Sequence, residues 1–240
     1  AAVARHLEIE HHVLDLRKEF AEQVVDAFVR EHWNGRTPNP CVGCNARVKW
    51  GMMRQWGIDR GMPWFTTGHY VHRVVRDGEH YLARAADLSK DQSYFLWMLS
   101  SQELSYSLFP LHGLSKSEVR AIAAEEKLPV AVKSDSQDVC FLPEGERLSL
   151  LRKRGEELGL LLHPGEICDL HGKVIGTHQG LPLYTRGQRQ GLGVATGERV
   201  WVKEIDYAEN SIKLGRREEL YGKSLVVEEC RWHLPPEFLI

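Results

Sequence analysis

A chain of 240 residues, with 42% hydrophobic and 27% charged residues, reads as a globular protein and excludes the disordered and fibrous classes. No apolar run approaches the roughly eighteen residues a membrane span needs, and the opening AAVARHLEIEHH carries no secretory pattern. The formal charge of -2 excludes a globally basic nucleic-acid binder, so any such surface is a local patch, and five unevenly spaced cysteines exclude a disulfide framework. A reducing, cytoplasmic setting is expected, with no membrane partner.

The chain opens on Ala1 with a helix-like segment and a short apolar run, which reads as the middle of an α/β unit and suggests a fragment. Residues 17–32 set Phe20, Val24, Val25 and Phe28 at helical spacing between charges, and Asn34, Gly35 and Pro38 end that helix. A second helix is expected over about 45–56. WFTTGHYVHRVV (64–75) reads as a buried strand broken at a glycine turn, then a strand pairing with HYLARA across Asp77-Gly78. Ser115 and Glu118 fit a capping box ahead of VRAIAAEEKL, which Leu128-Pro129 closes, and 148–159 is another helix with a glycine stop. From about His163 the texture turns to strand, tight turn, strand in EICDLHGKVIGTHQG and RVWVKEIDYAENSIKLGR, the pattern of a small β-barrel or sandwich.

Among candidate sites, RTPNPCVGCNARVKW (36–50) carries two thiols three positions apart, Cys41 and Cys44. The pair fits half of a zinc site, a redox pair, or a catalytic thiol with a companion. A zinc set of Cys41, Cys44, Cys140 and a distant histidine lacks the usual second close pair. Gly222-Lys223-Ser224 ends like a phosphate loop, but Arg217 stands where its first glycine belongs. GLGVATG (191–197) has the wrong spacing for a dinucleotide fingerprint and reads as a turn. Thr67-Gly68-His69-Tyr70 follows a strand-like run, where a glycine admits close approach of a ligand or simply makes a turn.

In KSDSQDVCF (133–141), Cys140 is either a buried strand thiol or a reactive thiol tuned by a cation such as Lys133. KDQSYFLWMLS (90–100) reads as a helix start capped by Asp91 with a core face of Tyr94, Phe95, Leu96 and Trp97, or as a basic stretch that meets phosphates. Arg186 and Arg189 are a phosphate patch or a solvated face.

Taken together, GRTPNPCVGCNARVKW, TTGHY, LSKDQSYFLWMLS, LFPLHGLSKSEVRAIA, KSDSQDVCFLP and GLPLYTRGQRQGLGV resemble the tRNA-specific 2-thiouridylases, in that family's order and over most of the chain. The resemblance implies an adenine-nucleotide-hydrolase-like α/β domain, incomplete here (1–92), a helical central domain (93–162) and a C-terminal small β-barrel (163–240) that looks truncated, with 133–143 returning to the active site. It implies a tRNA sulfurtransferase that uses ATP and Mg²⁺ to put sulfur on the wobble uridine. Cys140 would carry a persulfide, and Cys44 would attack it or displace its sulfur, leaving a Cys44–Cys140 disulfide. Asn39, Pro40 and Cys41 would lie against the target base, Gly68 at the nucleotide, and His69, Lys90, Asp91 and Gln92 along the tRNA. Some members carry Asp where this chain has Cys41, so no acid/base role follows for that thiol. Partners would be tRNA and a sulfur donor, either a cysteine desulfurase or a sulfur-relay protein; no resident metal site is implied. The family's Ser-Gly-Gly-x-Asp-Ser phosphate loop does not occur in these 240 residues, so they are expected to be inactive alone. The competing reading is a non-catalytic RNA-binding or zinc-stabilised module with structural cysteines.

Overall fold

The computed structural model describes residues 1–132, 139–143, 145–228 and 230–233. It divides into two compact units, each discontinuous in sequence. The first gathers Ala1–Val24 with the described residues of 41–137 and 229–240; the second gathers Val25–Pro40 with the described residues of 138–228.

The first unit is α/β. Strands β1 (Phe65–Thr66) and β4 (Ser107–Leu108) pair in parallel, while β2 (His72–Arg76) and β3 (Glu79–Ala83) form an antiparallel hairpin. The hairpin follows from its turn: Asp77 (φ 52°) and Gly78 (φ 81°) both lie in the left-handed region, as a two-residue primed turn requires. As read from the sequence, 64–75 holds two strands with a break at the glycine, although the first is only two residues long and Trp64 stays exposed. A helix over 40–58 begins with Pro40, whose missing amide hydrogen suits a first turn, and runs as Pro40–Gly43 (α), Cys44–Met53 (π) and Arg54–Ile58 (α). Its Trp50 is buried with Val71, Leu96, Leu99, Leu104 and Phe109. The indole NH donates to Ser107 Oγ at 2.7 Å, and that hydroxyl donates to the Glu103 carbonyl at 2.6 Å. A buried polar atom is thus relayed onto backbone rather than left orphaned.

Serines cap the helices that follow, Ser100 ahead of Ser101–Ser105 and Ser115 ahead of Lys116–Glu125, each in a complete capping box. The sequence pointed to the second of these. The 116–125 helix buries none of its residues, so its apolar stripe is not a core face. Similarly, 93–96 is a 3₁₀ turn in which Leu96 is buried while Tyr94 is 64% exposed. With three residues per turn, the aromatic run cannot present one continuous buried stripe.

The second unit joins a helix pair to a small sheet. The 17–33 helix runs on into this unit, where its last segment, Asp26–Trp33, packs on the Arg147–Glu157 helix around Phe28, Val29, Leu151 and Leu183. Asp26 and Arg154 close a two-point ion pair between them at 2.6 and 3.0 Å. The four-stranded sheet consists of β5 (Gly165–Cys168), β6 (Val174–His178), β7 (Trp201–Asp206) and β8 (Ser211–Gly215) in the order β6-β5-β8-β7. Both hairpins are antiparallel as read from the sequence, and β5 joins β8 in parallel. One face buries Ile167, Val202, Ile212 and Leu214 with Leu181, Leu192 and Val200 from the connections. Among the described residues, no helix is long and apolar enough to cross a membrane.

Candidate functional site

In the first unit, three of the stretches singled out from sequence are stitched together by two amide side chains. Cys41 and Cys44 are half-buried near the start of the 40–58 helix, and Cys44 opens its π-helical segment. Such segments are rare and recur at functional positions. The next residue, Asn45, is 2% exposed and donates from Nδ2 to the Phe95 carbonyl at 2.9 Å. Phe95 belongs to the turn that follows Lys90-Asp91-Gln92. Gln92 then grips the TTGHY segment at both ends of one residue: its Oε1 accepts from the Tyr70 amide at 3.0 Å, and its own amide donates to the Tyr70 carbonyl at 2.8 Å. Neither Asn45 nor this double grip was read from the sequence; the only signal was a polar residue inside the otherwise half-apolar CNARVKW.

Asp91 has both carboxylate oxygens engaged within its own neighbourhood, accepting from the Ala85 amide (2.9 Å) and from Ser93 Oγ (2.6 Å). Lys90 is half-buried. His69 shares a hydrogen bond between Nδ1 and Thr67 Oγ1 at 2.9 Å, and its ring lies 5.9 Å from that of Trp50. Burial, with the nearby Lys49 charge adding to it, pushes the imidazole pKa down to about 4. At neutral pH His69 is therefore an uncharged hydrogen-bonding group, not a counter-ion for phosphate.

Gly68 is exposed just beyond the C-terminal end of β1, where open α/β sheets take ligands. A Cβ placed there would meet only Leu111 Cδ1, at an ordinary 3.7 Å, and its backbone is not left-handed. The fold itself therefore does not demand glycine at 68, whereas close approach of a nucleotide would.

In the second unit, Asn39 is half-buried and Pro40 buried, at the end of the segment leaving the 17–33 helix. Cys140 is exposed, beside Phe141, whose ring packs edge-on against Phe28 at 5.7 Å between centroids. Lys133, Asp135, Ser136, Gln137 and Asp138, which the sequence reading placed around that thiol, lie outside the described residues. Arg186 and Arg189 are exposed. Among the described residues, no three His, Cys, Asp or Glu side chains converge as a metal set.

Two family models match this chain: the tRNA methyl transferase HUP domain over residues 1–144 and the tRNA methyl transferase PRC-barrel domain over residues 158–216. The chain belongs to this family, the one that contains the tRNA-specific 2-thiouridylases. It is 40% identical over 226 residues to tRNA-specific 2-thiouridylase MnmA 2 of Thermoanaerobacter sp. (strain X514), covering 93% of this chain and 61% of that protein. It is 42% identical to the MnmA proteins of Pelobacter propionicus, over 98% of this chain and 66% of that protein, and of Chlorobium chlorochromatii, over 91% and 61%. The chain thus spans somewhat less than two thirds of the length of these relatives. The α/β first unit and the sheet of the second agree with the family's HUP and PRC-barrel domains, as expected from sequence.

Proposed function

We propose that this chain is the greater part of an ATP-dependent tRNA sulfurtransferase that converts the wobble uridine to 2-thiouridine, acting in the cytoplasm. The observation that carries the reading is the relatives' shared name, tRNA-specific 2-thiouridylase, at about two-fifths identity over nearly the whole chain. The bonds from Asn45, beside Cys44, to Phe95 and from Gln92 to Tyr70, two residues beyond Gly68, support it, because thiol, nucleotide and RNA must meet in one place for this chemistry.

In the proposed reaction, adenylation turns the uridine C2 oxygen into a leaving group, releasing pyrophosphate, with Gly68 beside the nucleotide and Mg²⁺ accompanying its phosphates. A sulfur donor (a cysteine desulfurase or a sulfur-relay protein) loads a persulfide onto Cys140. The terminal sulfur bonds to the activated carbon and AMP departs. Cys44 thiolate then attacks the Cys140 sulfur, breaking the S–S bond so that the electron pair stays on the transferred sulfur as the new C2 thiocarbonyl. Alternatively, Cys44 displaces that sulfur first, as hydrosulfide, which attacks the carbon. Both routes leave a Cys44–Cys140 disulfide, which an external thiol reduces. Asn39, Pro40 and Cys41 are proposed against the base, with His69, Lys90, Asp91 and Gln92 along the tRNA. His69 acts there as a neutral hydrogen-bonding group.

Cys140→Ser in the full-length protein tests the reading: thiolation is expected to vanish while tRNA affinity stays within a few-fold. Continued formation of 2-thiouridine by that variant overturns the sulfur route. The 240 residues alone, which contain no Ser-Gly-Gly-x-Asp-Ser sequence, are expected not to thiolate tRNA, and ATP-dependent thiolation by them would refute this.

A further inference from the structure

The segment that leads to Asn39 and Pro40 is seated on the β7–β8 turn of the second unit. The 17–33 helix ends at Asn34 in a Schellman arrangement: the Gly35 amide donates to the His32 carbonyl (3.2 Å) and the Arg36 amide to that of Glu31 (2.9 Å). Gly35 takes the left-handed conformation this needs, at φ +77°. It is also held from outside, since a Cβ at Gly35 would lie 2.6 Å from Cε2 and 2.9 Å from Cζ of Tyr207. The Tyr207 ring therefore rests on bare backbone. Two residues on, Thr37 Oγ1 reaches Thr185 Oγ1 at 3.5 Å.

Tyr207 is itself rigidly presented. Asp206 Oδ1 accepts from the amides of Ala208 and Glu209, both at 3.1 Å. Asn210, left-handed at φ 46°, donates from Nδ2 to the Pro164 carbonyl at 2.8 Å. The Asn210 carbonyl accepts from His178 Nε2 at 3.0 Å, while His178 Nδ1 accepts from the Gly180 amide at 3.1 Å, the pattern of a neutral imidazole. Burial keeps His178 in that form by lowering its pKa. A turn fixed at both ends thus offers one flat aromatic face to one glycine. Beside Tyr207 lies a cavity of about 590 Å³ lined also by Trp33, His163 and Pro182.

We propose that Tyr207 is a positioning residue for Asn39 and Pro40. Its ring fixes the path of residues 35–38, so the β7–β8 turn sets the approach of the chain to Asn39 and Pro40. The role of Asn39 and Pro40 rests on the function proposed above; the mechanical part of the inference does not.

Hydrogen–deuterium exchange on the 240-residue chain tests the mechanical part. Peptides covering 34–40 are expected to exchange at least about fivefold faster in Tyr207→Ala, and at the wild-type rate in Tyr207→Phe, with β7 and β8 peptides unchanged. Exchange over 34–40 within twofold of wild type in Tyr207→Ala overturns the proposal. Should Tyr207→Ala also deprotect the sheet, the wild-type chain decides by NMR: the α protons of Gly35 are expected to show a ring-current shift, and its absence overturns the contact. In the full-length protein, Tyr207→Ala is expected to lower kcat about tenfold with the KM for tRNA within threefold, and Tyr207→Phe to restore it. Unchanged kcat beside accelerated exchange overturns the link to base positioning. If wild-type full-length protein makes no 2-thiouridine, the functional reading fails while the exchange result stands on its own.

Discussion

Asn45, directly after Cys44, is 2% exposed and donates its side-chain amide to the half-buried Phe95 carbonyl fifty residues away at 2.9 Å. Removing the donor takes the partner from a half-buried carbonyl, a cost between the net worth of a hydrogen bond and the penalty of a fully buried unmatched group. Asn45→Ala is expected to destabilise the chain by about 1–3 kcal/mol, read from urea unfolding. Alkylation of Cys44 is expected to quicken several-fold, with Cys168 as internal control. A loss under about 0.5 kcal/mol would show that the bond does not hold the helix.

The low pKa of His69 makes stability depend on pH in a fixed direction. Unfolded, a histidine takes its proton near 6.5; in the folded chain His69 stays neutral down to about 4. Between those values the unfolded state binds more protons, so stability falls as pH drops through that window. His69 is expected to account for up to about 2 kcal/mol of the loss between pH 7 and pH 5. His32 and His178, whose pKa values burial also lowers, act in the same sense. His69→Gln should remove only its own share, leaving a shallower slope. An NMR titration of His69 with a midpoint above 6 would contradict the assignment.

Gly68→Ala separates folding from binding. The added methyl meets nothing closer than Leu111 Cδ1 at 3.7 Å, and a glycine-to-alanine change at a compatible backbone stabilises by about 0.4–1 kcal/mol. The melting temperature is expected to hold or rise slightly. In the full-length protein the nucleotide dissociation constant is expected to rise at least about tenfold. Unchanged nucleotide affinity would remove Gly68 from the nucleotide site.

The Asp26–Arg154 pair ties its two helices with Arg154 also reaching Glu157 at 2.6 Å. Side-chain exposure of 13% for Asp26 and 29% for Arg154 places it between surface pairs, which contribute little, and fully buried ones. Asp26→Ala is expected to cost about 1–2 kcal/mol, with weak dependence on salt. A measured cost that disappears at low salt as well as high would make the pair ornamental.

The helix over 17–33, both hairpins of the second unit and the Ser115 capping box were legible because period, turn chemistry and cap residues agree there. The parallel pairing of β5 with β8 was not, since nothing local specifies which hairpin edges meet. Nor were the π-helical turns after Cys44, which differ from α turns by one residue of hydrogen-bond offset that apolar spacing does not record. Within the candidate site the sequence offered the thiols, Gly68 and Gln92, but not what holds them. Asn45 is one amide in a mixed stretch. Tyr207 sits in Asp-Tyr-Ala-Glu-Asn, where the turn residues are evident and the glycine its ring covers lies far upstream.

The second unit takes its Val25–Pro40 portion from well before the rest of its residues, and the Leu151 side chain is buried against Phe28 and Val29 from that portion. A C-terminal piece cut out for separate expression would consequently carry half a hydrophobic interface into solvent. Supplying residues 25–40 as a peptide, or joining them by circular permutation, is the way to make that half stand alone. Gene shuffling that exchanges only the C-terminal part between relatives would face the same obstacle, because inherited neighbours in space would then come from different parents.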